Sequence, residues 1–512
     1  MNTSALRRRL ALQRAHLLRL ILPLLLLVAA TGSGCVSTGT NPISGNTRAY
    51  GYSWEQEVKM GTEADQQIQQ QYGVYEDEDL QQYVDRVAQD VLAESHMRRP
   101  STPEKFRNTE FHFRVLDSPV INAFALPGGY CYVTRGLLAH LNNEAQLAVV
   151  LGHEIGHVAG RHASKQAAKQ QIMQGVLMGG AIAGQVAFGG DVAQNVMGLG
   201  GTAAQLLSLS YSRDNERESD RLGVEYATMA GYDAAEGAEF FTSLKRQSAQ
   251  SGQSIPTWQS THPDPGQRED TIVKLAQEWD QKVEGAQTAR NQDAYYAAID
   301  EIILGQNPRQ GFVENEVFYH PDLKFRFPVP SSWQVQNETS QVAMIQPNQE
   351  AYVVFRISQS DTPAAAAEEF AGQEGLTVVE RGSESVNGRS AYRVLGEGQT
   401  QQGGTVRVLA YFISYDGRVY AFQGMTTAQQ YAGYRPALER PMTGFDELAD
   451  REKLTVQPTR IAVRPASRTA SFRTFVDENL LPDDLNATDL AIINQVELEE
   501  SVEQGRPLKL PK

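Results

Sequence analysis

At 512 residues, with 41% hydrophobic and 21% charged side chains, the chain has the composition of a globular protein and the length of two to four domains. Its formal charge of −15 includes five arginines and no acid in the first 34 residues, so the chain from Cys35 onward carries −20. Such a surface repels nucleic acid, and no Lys/Arg cluster after residue 34 suggests a phosphate-binding face, so nucleic-acid binding is excluded.

Residues 1–34 have the order of a secretory leader. Basic positions Arg7 to Arg19 precede an apolar run, Leu20 to Ala30, that is short for a membrane span. The small residues Thr31 to Gly34 then end at Cys35, an arrangement that resembles a bacterial lipoprotein signal, although Gly32 stands where Leu is usual. The resemblance implies a lipid on Cys35 and a place on the periplasmic side of the cell envelope, anchored to the membrane, with the outer membrane favoured. An ordinary leader cut near Ala30, or an uncleaved anchor, is the alternative. Residues 35–52, rich in Gly, Ser, Thr and Asn, predict a flexible tether. With Cys35 lipidated, Cys131 has no partner, and its apolar setting predicts a buried strand thiol and no disulfide.

Helical periodicity follows over 53–96, carried by Val58, Ile68, Leu80, Val84, Val87 and Val91. Phe111 to Leu116 alternates as a strand, and Ala123 to Val133, kinked at Pro127-Gly128-Gly129, predicts a hairpin. Asn143 caps a helix reaching about His162. The uncharged Gly/Ala-rich stretch from 170 to 212, broken by Asp191, predicts a buried helical hairpin or a mobile cover over a cleft rather than a membrane span. Arg213 to Ala230 and Asp233 to Gln250 are helical, a polar loop holds His262-Pro263, and helical texture continues to Leu304. From Phe312 strands dominate, with Asn387-Gly388 and Asp416-Gly417 as hairpin turns and one helix from Pro363 to Gly372. Three folded units are expected: 53–305, an α+β unit at 312–445, and a short module at 454–512. As the last two hold no metal or nucleophile constellation, the first 305 residues are expected to fold and act without them.

The chemistry sits in His153-Glu154-Ile155-Gly156-His157. Imidazoles four apart share a helix face and can reach one zinc ion, and Glu154 falls close enough to bond a water on that ion. A catalytic zinc needs a third protein ligand. Glu216 and Asp220 share a face of the later helix: Glu216 can complete a His₂Glu set, and Asp220 can orient a ligand imidazole or help hold the reacting group. HExxH alone recurs by chance; the second acidic helix makes it informative.

Four ordered segments, Asn122 to Gly129, His153 to His157, Ser212 to Asp220 and His262-Pro263 with Arg268, together resemble metallopeptidase family 48 over roughly residues 40–305. The resemblance implies a mainly α-helical α+β (zincin) protease domain with one Zn²⁺ per chain. It makes His153, His157 and Glu216 the ligands, Glu154 the catalytic base, and Asp220 and His262 further members of the catalytic site. The chain departs from members with transmembrane helices and from those with a helical-repeat tail, and so looks like an exported lipoprotein branch. Residues 320–333 are similar instead to the opening of a PsbP/Mog-like domain, and 454–512 to a LysM module, which implies cell-wall contact. The expected function is a zinc endopeptidase acting on misfolded or unassembled envelope proteins. The competing reading is a non-catalytic zinc-binding chaperone or scaffold, which would be free to lose Glu154.

Overall fold

The computed structural model describes residues 37–179, 206, 211–251, 262, 267–283, 288–399 and 404–512. The leader with Cys35 and most of the expected cover between 170 and 212 lie outside the described residues. The chain is multidomain and α+β, with a helical N-terminal part and a large β-rich C-terminal region.

The expected tether is instead structured. Ser37–Thr40 (β1) and Thr47–Tyr50 (β2) pair antiparallel, and Tyr50 is fully buried. Asn41, whose carboxamide accepts from the Ile43 and Ser44 amides, turns the chain between them. The polar composition of this stretch describes its turn; its anchor is aromatic.

Helices Trp54–Tyr72 (α1) and Glu78–Glu94 (α2) follow, the first opened by a Ser53/Gln56 capping box. The expected hairpin is Ala123–Leu126 (β4) against Tyr130–Thr134 (β5), with Gly128 and Gly129 at positive φ where a Cβ would strike backbone. His112–Leu116 (β3) adds to β5 in parallel, leaving β4 at the edge. Cys131 lies buried on β5 as expected, and burial pushes its thiol pKa up.

A short helix, Arg135–His140 (α3), leads to Glu144–Gly160 (α4), every residue of which is buried. Apart from Gln146, Ala145 to Leu151 is apolar on every side, so this helix belongs in the centre of the domain. Around it pack His162–Gly179 (α5), Arg213–Met229 (α6), Gly237–Ser251 (α7), Arg268–Asp280 (α8) and Gln292–Ile299 (α9). Helices α4 and α6 touch through glycine. A Cβ on Gly152 would meet the Gly223 carbonyl oxygen at 2.9 Å, and one on Gly156 would meet Leu222 Cβ at 3.2 Å. This close crossing lets short side chains on α6 reach those on α4.

In the C-terminal region a seven-stranded antiparallel sheet runs from Leu376–Val386 at one edge to Gln334–Glu338 at the other. Helix Pro363–Ala371 covers one face at Val394, Val408 and Phe412, and Tyr431–Thr443 covers the other at Phe355 and Phe422. Asn387-Gly388 and Asp416-Gly417 form the two-residue turns, all four residues at positive φ.

The last segment is not a separate packing unit. Ile461–Pro465 pairs antiparallel with Pro507–Pro511, flanking helix Ala487–Ile493, and its residues Ile461, Leu490, Ile493 and Val496 share one core with Val91, Leu137 and Leu147. The Ile461 amide donates to the Ile302 carbonyl and the Leu304 amide to Thr459, both at 2.9 Å. Lys509 Nζ, wholly buried, donates to the carbonyls of Ala139 (2.6 Å) and Leu141 (2.9 Å). The division expected after residue 305 therefore cuts through a core, because the first 305 residues leave part of their apolar surface for the tail to cover.

Candidate metal centre

Helix α4 brings His153 and His157 to one face with Nε2 atoms 2.9 Å apart. Glu216, in the first turn of α6, sets its Oε2 3.5 Å from His153 Nε2 and its Oε1 3.5 Å from His157 Nε2. His262 brings Nδ1 to 3.3 Å from His153 Nε2 and from Glu216, and its Nε2 to 3.7 Å from Glu154 Oε1. All five residues are buried. The nearest donor pairs span 2.9 to 3.5 Å, close to the ~3.3 Å edge of a tetrahedron with ~2.05 Å bonds, the geometry zinc takes with N and O ligands. Both oxygens of Glu154 are buried beside these donors and accept no hydrogen bond among the described residues. A closed cluster of neutral-capable imidazoles and a carboxylate, with a second carboxylate lacking a donor among the described residues, fits a zinc ion and the water it would carry.

Charge is held unevenly among these groups. Burial opposes the charged form of every group here, yet hydrogen bonds to Asp220 and Glu216 outweigh it at His153 and hold that imidazole up to about 9. Burial keeps His157 well below the usual histidine value despite Glu216. Glu216 runs the other way: burial would raise it, but His262 and His153 hold it well below the carboxylate range. Burial also raises Glu154, the expected direction for a proton-accepting carboxylate in an apolar cleft.

Asp220 lies behind the cluster. Its Oδ1 is 2.9 Å from His153 Nδ1, the nitrogen facing away from the other donors, and it is clamped by Arg268 from the start of α8. From there Asp220 can accept a hydrogen bond from the His153 imidazole. Arg268 stacks its guanidinium 4.1 Å from the Phe241 ring centroid and also lies 3.2 Å from His153 Nδ1.

Two further groups had no sequence signal of their own. Tyr211 lays its ring 4.1 Å from that of His157. His162 follows Arg161, whose left-handed φ of 54° ends α4, and this turn swings the imidazole back under His157. Its Nδ1 lies 3.0 Å from His157 Nδ1 and its Nε2 3.0 Å from Glu218 Oε2. A His five positions after the second motif His marks it in retrospect, but nothing local in the sequence says that the helix ends between them. The uncharged stretch expected to cover the cleft falls largely outside the described residues.

Comparison with known proteins agrees with this geometry. Residues 76–276 match Peptidase family M48. The chain is 27% identical to the beta-barrel assembly-enhancing protease of Yersinia pestis over 54% of this chain and 56% of that one. It is 30% identical to the protein of that name in Escherichia coli (strain K12), over 45% and 46%. Similarity extends to the mitochondrial metalloendopeptidase OMA1 of Bos taurus, 32% identical over 31% of each. The chain thus spans about half the length of the bacterial relatives it matches. Among solved structures, cyanobacterial PsbP from Synechocystis sp. PCC 6803 covers 26% of this chain and 91% of its own at 13% identity and a TM-score of 0.23, too low to assign that region a family.

Proposed function

Carrying an M48 peptidase domain over residues 76–276, this chain is, we propose, a zinc-dependent endopeptidase acting on unfolded or misassembled proteins of the cell envelope. One observation carries the reading: the buried donors of His153, His157 and Glu216 converge beside a carboxylate, Glu154, that accepts no hydrogen bond among the described residues. His153, His157 and Glu216 would hold the metal. Zinc, when bound, lowers the pKa of a coordinated water towards neutrality and polarises the scissile carbonyl. With the metal in place, Glu154 would take a proton from the attacking water at its carboxylate and pass it to the leaving amine, a role that its raised pKa in this buried setting favours. Asp220, held by Arg268, fixes the His153 ring so that Nε2 keeps its lone pair directed at the metal. Edge strand β4, packed beside α4, offers backbone donors and acceptors to an extended peptide.

For location and partners the support is the sequence: the leader and Cys35 favour a lipid-anchored protein facing the periplasm, and the LysM-like tail favours cell-wall contact. No helix among the described residues is long and apolar enough to cross a membrane.

The test is purified mature protein against unfolded casein with and without chelator, alongside Glu154→Gln. Chelator-sensitive cleavage is expected, with the variant retaining zinc and losing roughly 10²–10⁴ in rate. Full zinc without cleavage in the unmodified protein would favour the scaffold reading.

A further inference from the structure

We infer that His162 and Glu218 form a positioning relay for His157, the counterpart of Asp220 and Arg268 behind His153. The inference rests on the zinc-site reading above. It follows from hydrogen-bond bookkeeping. The nitrogen of His157 that faces His153 and Glu216 is Nε2, so as a ligand this imidazole keeps its lone pair there and carries its proton on Nδ1. The atom 3.0 Å from that Nδ1 is His162 Nδ1, which must therefore accept and be bare. A neutral His162 then has its proton on Nε2, and the atom 3.0 Å away is Glu218 Oε2, a carboxylate able to accept it. Lys165 Nζ donates to the same oxygen at 3.0 Å. Every donor along the line meets an acceptor, and only one set of tautomers achieves this.

The chain is built to place these groups. Gly160 leaves room for the returning ring, since a Cβ there would lie 2.3 Å from His162 Nε2. His162 is fully buried, so its ring nitrogens cannot be served by bulk water. Ser219 Oγ, 3.4 Å from His162 Nδ1, is the one other polar side chain near that nitrogen among the described residues, and its hydroxyl can rotate away. Carboxylate–histidine–metal arrangements fix ring orientation and raise ligand basicity, and their loss typically costs roughly 10–100-fold in metal affinity.

The experiment measures zinc affinity by competition with a chromophoric chelator, together with histidine side-chain ¹⁵N shifts of the zinc-loaded full chain. Expected are a roughly 10–100-fold weaker zinc affinity in His162→Leu and Glu218→Ala. His162→Gln should stay near wild type, because its amide can accept from His157 and donate to Glu218. The shifts should report His162 protonated at Nε2 and bare at Nδ1. Should His162→Leu fail to fold, Glu218→Ala, altered at a partly exposed side chain, decides alone. Unchanged affinity in a folded Glu218→Ala, or an Nδ1-protonated His162, overturns the relay. Absence of zinc binding by the unmodified protein would instead overturn the site reading on which it rests.

Discussion

The Arg161 guanidinium grips Glu57 from two nitrogens, Nε at 3.0 Å and Nη2 at 2.6 Å, with both side chains buried. On its other side the guanidinium lies 3.6 Å from the Tyr50 ring centroid, so the N-terminal hairpin and α1 jointly clamp the left-handed residue that ends the motif helix. Burial pushes the Glu57 pKa up against the pull of Arg161, a sign that desolvation here is costly. Breaking such a pair leaves a buried charge, and Glu57→Ala should destabilise the protein by about 3–5 kcal/mol. Chemical denaturation checks this. A loss under 1 kcal/mol would mean that the pair is solvent-relaxed and the clamp unimportant.

The sequence discloses this region unevenly, for physical reasons. Asn143, the apolar run and the paired histidines are local signals, and α4 forms where they place it. Asn387-Gly388 and Asp416-Gly417 likewise carry their backbone geometry in their composition. Tyr50 and Glu57 do not, since their partner Arg161 lies over 100 positions away. The same holds for Gly152 and Gly223, whose role exists only where two helices cross, and for Lys509, whose partners are backbone carbonyls of α3 and the residue after it. Local composition suggested a tether and a detachable tail; long-range packing made both part of the core.

The three proposed ligands should be separable from the residues behind them. His153→Ala, His157→Ala and Glu216→Ala should each lose most bound zinc, whereas Asp220→Ala should weaken affinity by roughly 10–100-fold without abolishing it. Metal analysis after dialysis distinguishes the two classes. Full zinc in Glu216→Ala would remove that residue from the ligand set and leave His262 as the third donor.

The tail should be required for folding, contrary to its appearance in sequence. A chain ending near Gly305 loses Ile461, Leu490, Ile493 and Leu508 from the peptidase core and should be aggregated or molten by near-UV circular dichroism. A soluble, active truncation would show that the shared core can re-close. Lys509 gives this contact a pH signature. Burial depresses its pKa well below the usual lysine value, so between that value and the unfolded value of ~10.4 the unfolded chain binds more protons than the folded one. Stability from this residue therefore rises with pH across that window. Measured by urea unfolding at two pH values in the window, any advantage of Lys509→Met over the unmodified protein should shrink as pH rises. A gap independent of pH would show that Lys509 folds in its charged form.

His262 decides whether the centre is held in check. Its Nδ1 stands among the donors, 3.3 Å from His153 Nε2, while its Nε2 lies 3.7 Å from Glu154. The imidazole thus fills the space between the metal-binding nitrogens and the base, where the attacking water must be held during catalysis. A ring in that position can serve as a fourth ligand in a resting state, one that would have to leave before substrate is cut. His262→Ala should then raise cleavage of unfolded casein, with zinc retained by the remaining three ligands. Were His262 instead the donor that stabilises the oxyanion, the same substitution would lower turnover by roughly 10²–10³ at unchanged zinc content. The two roles also separate in binding, since removing a fourth ligand weakens zinc whereas removing an oxyanion donor does not. Raised activity with weakened zinc assigns the resting-state ligand, lowered activity with unchanged zinc assigns the oxyanion donor, and unchanged kinetics and affinity together remove His262 from the site.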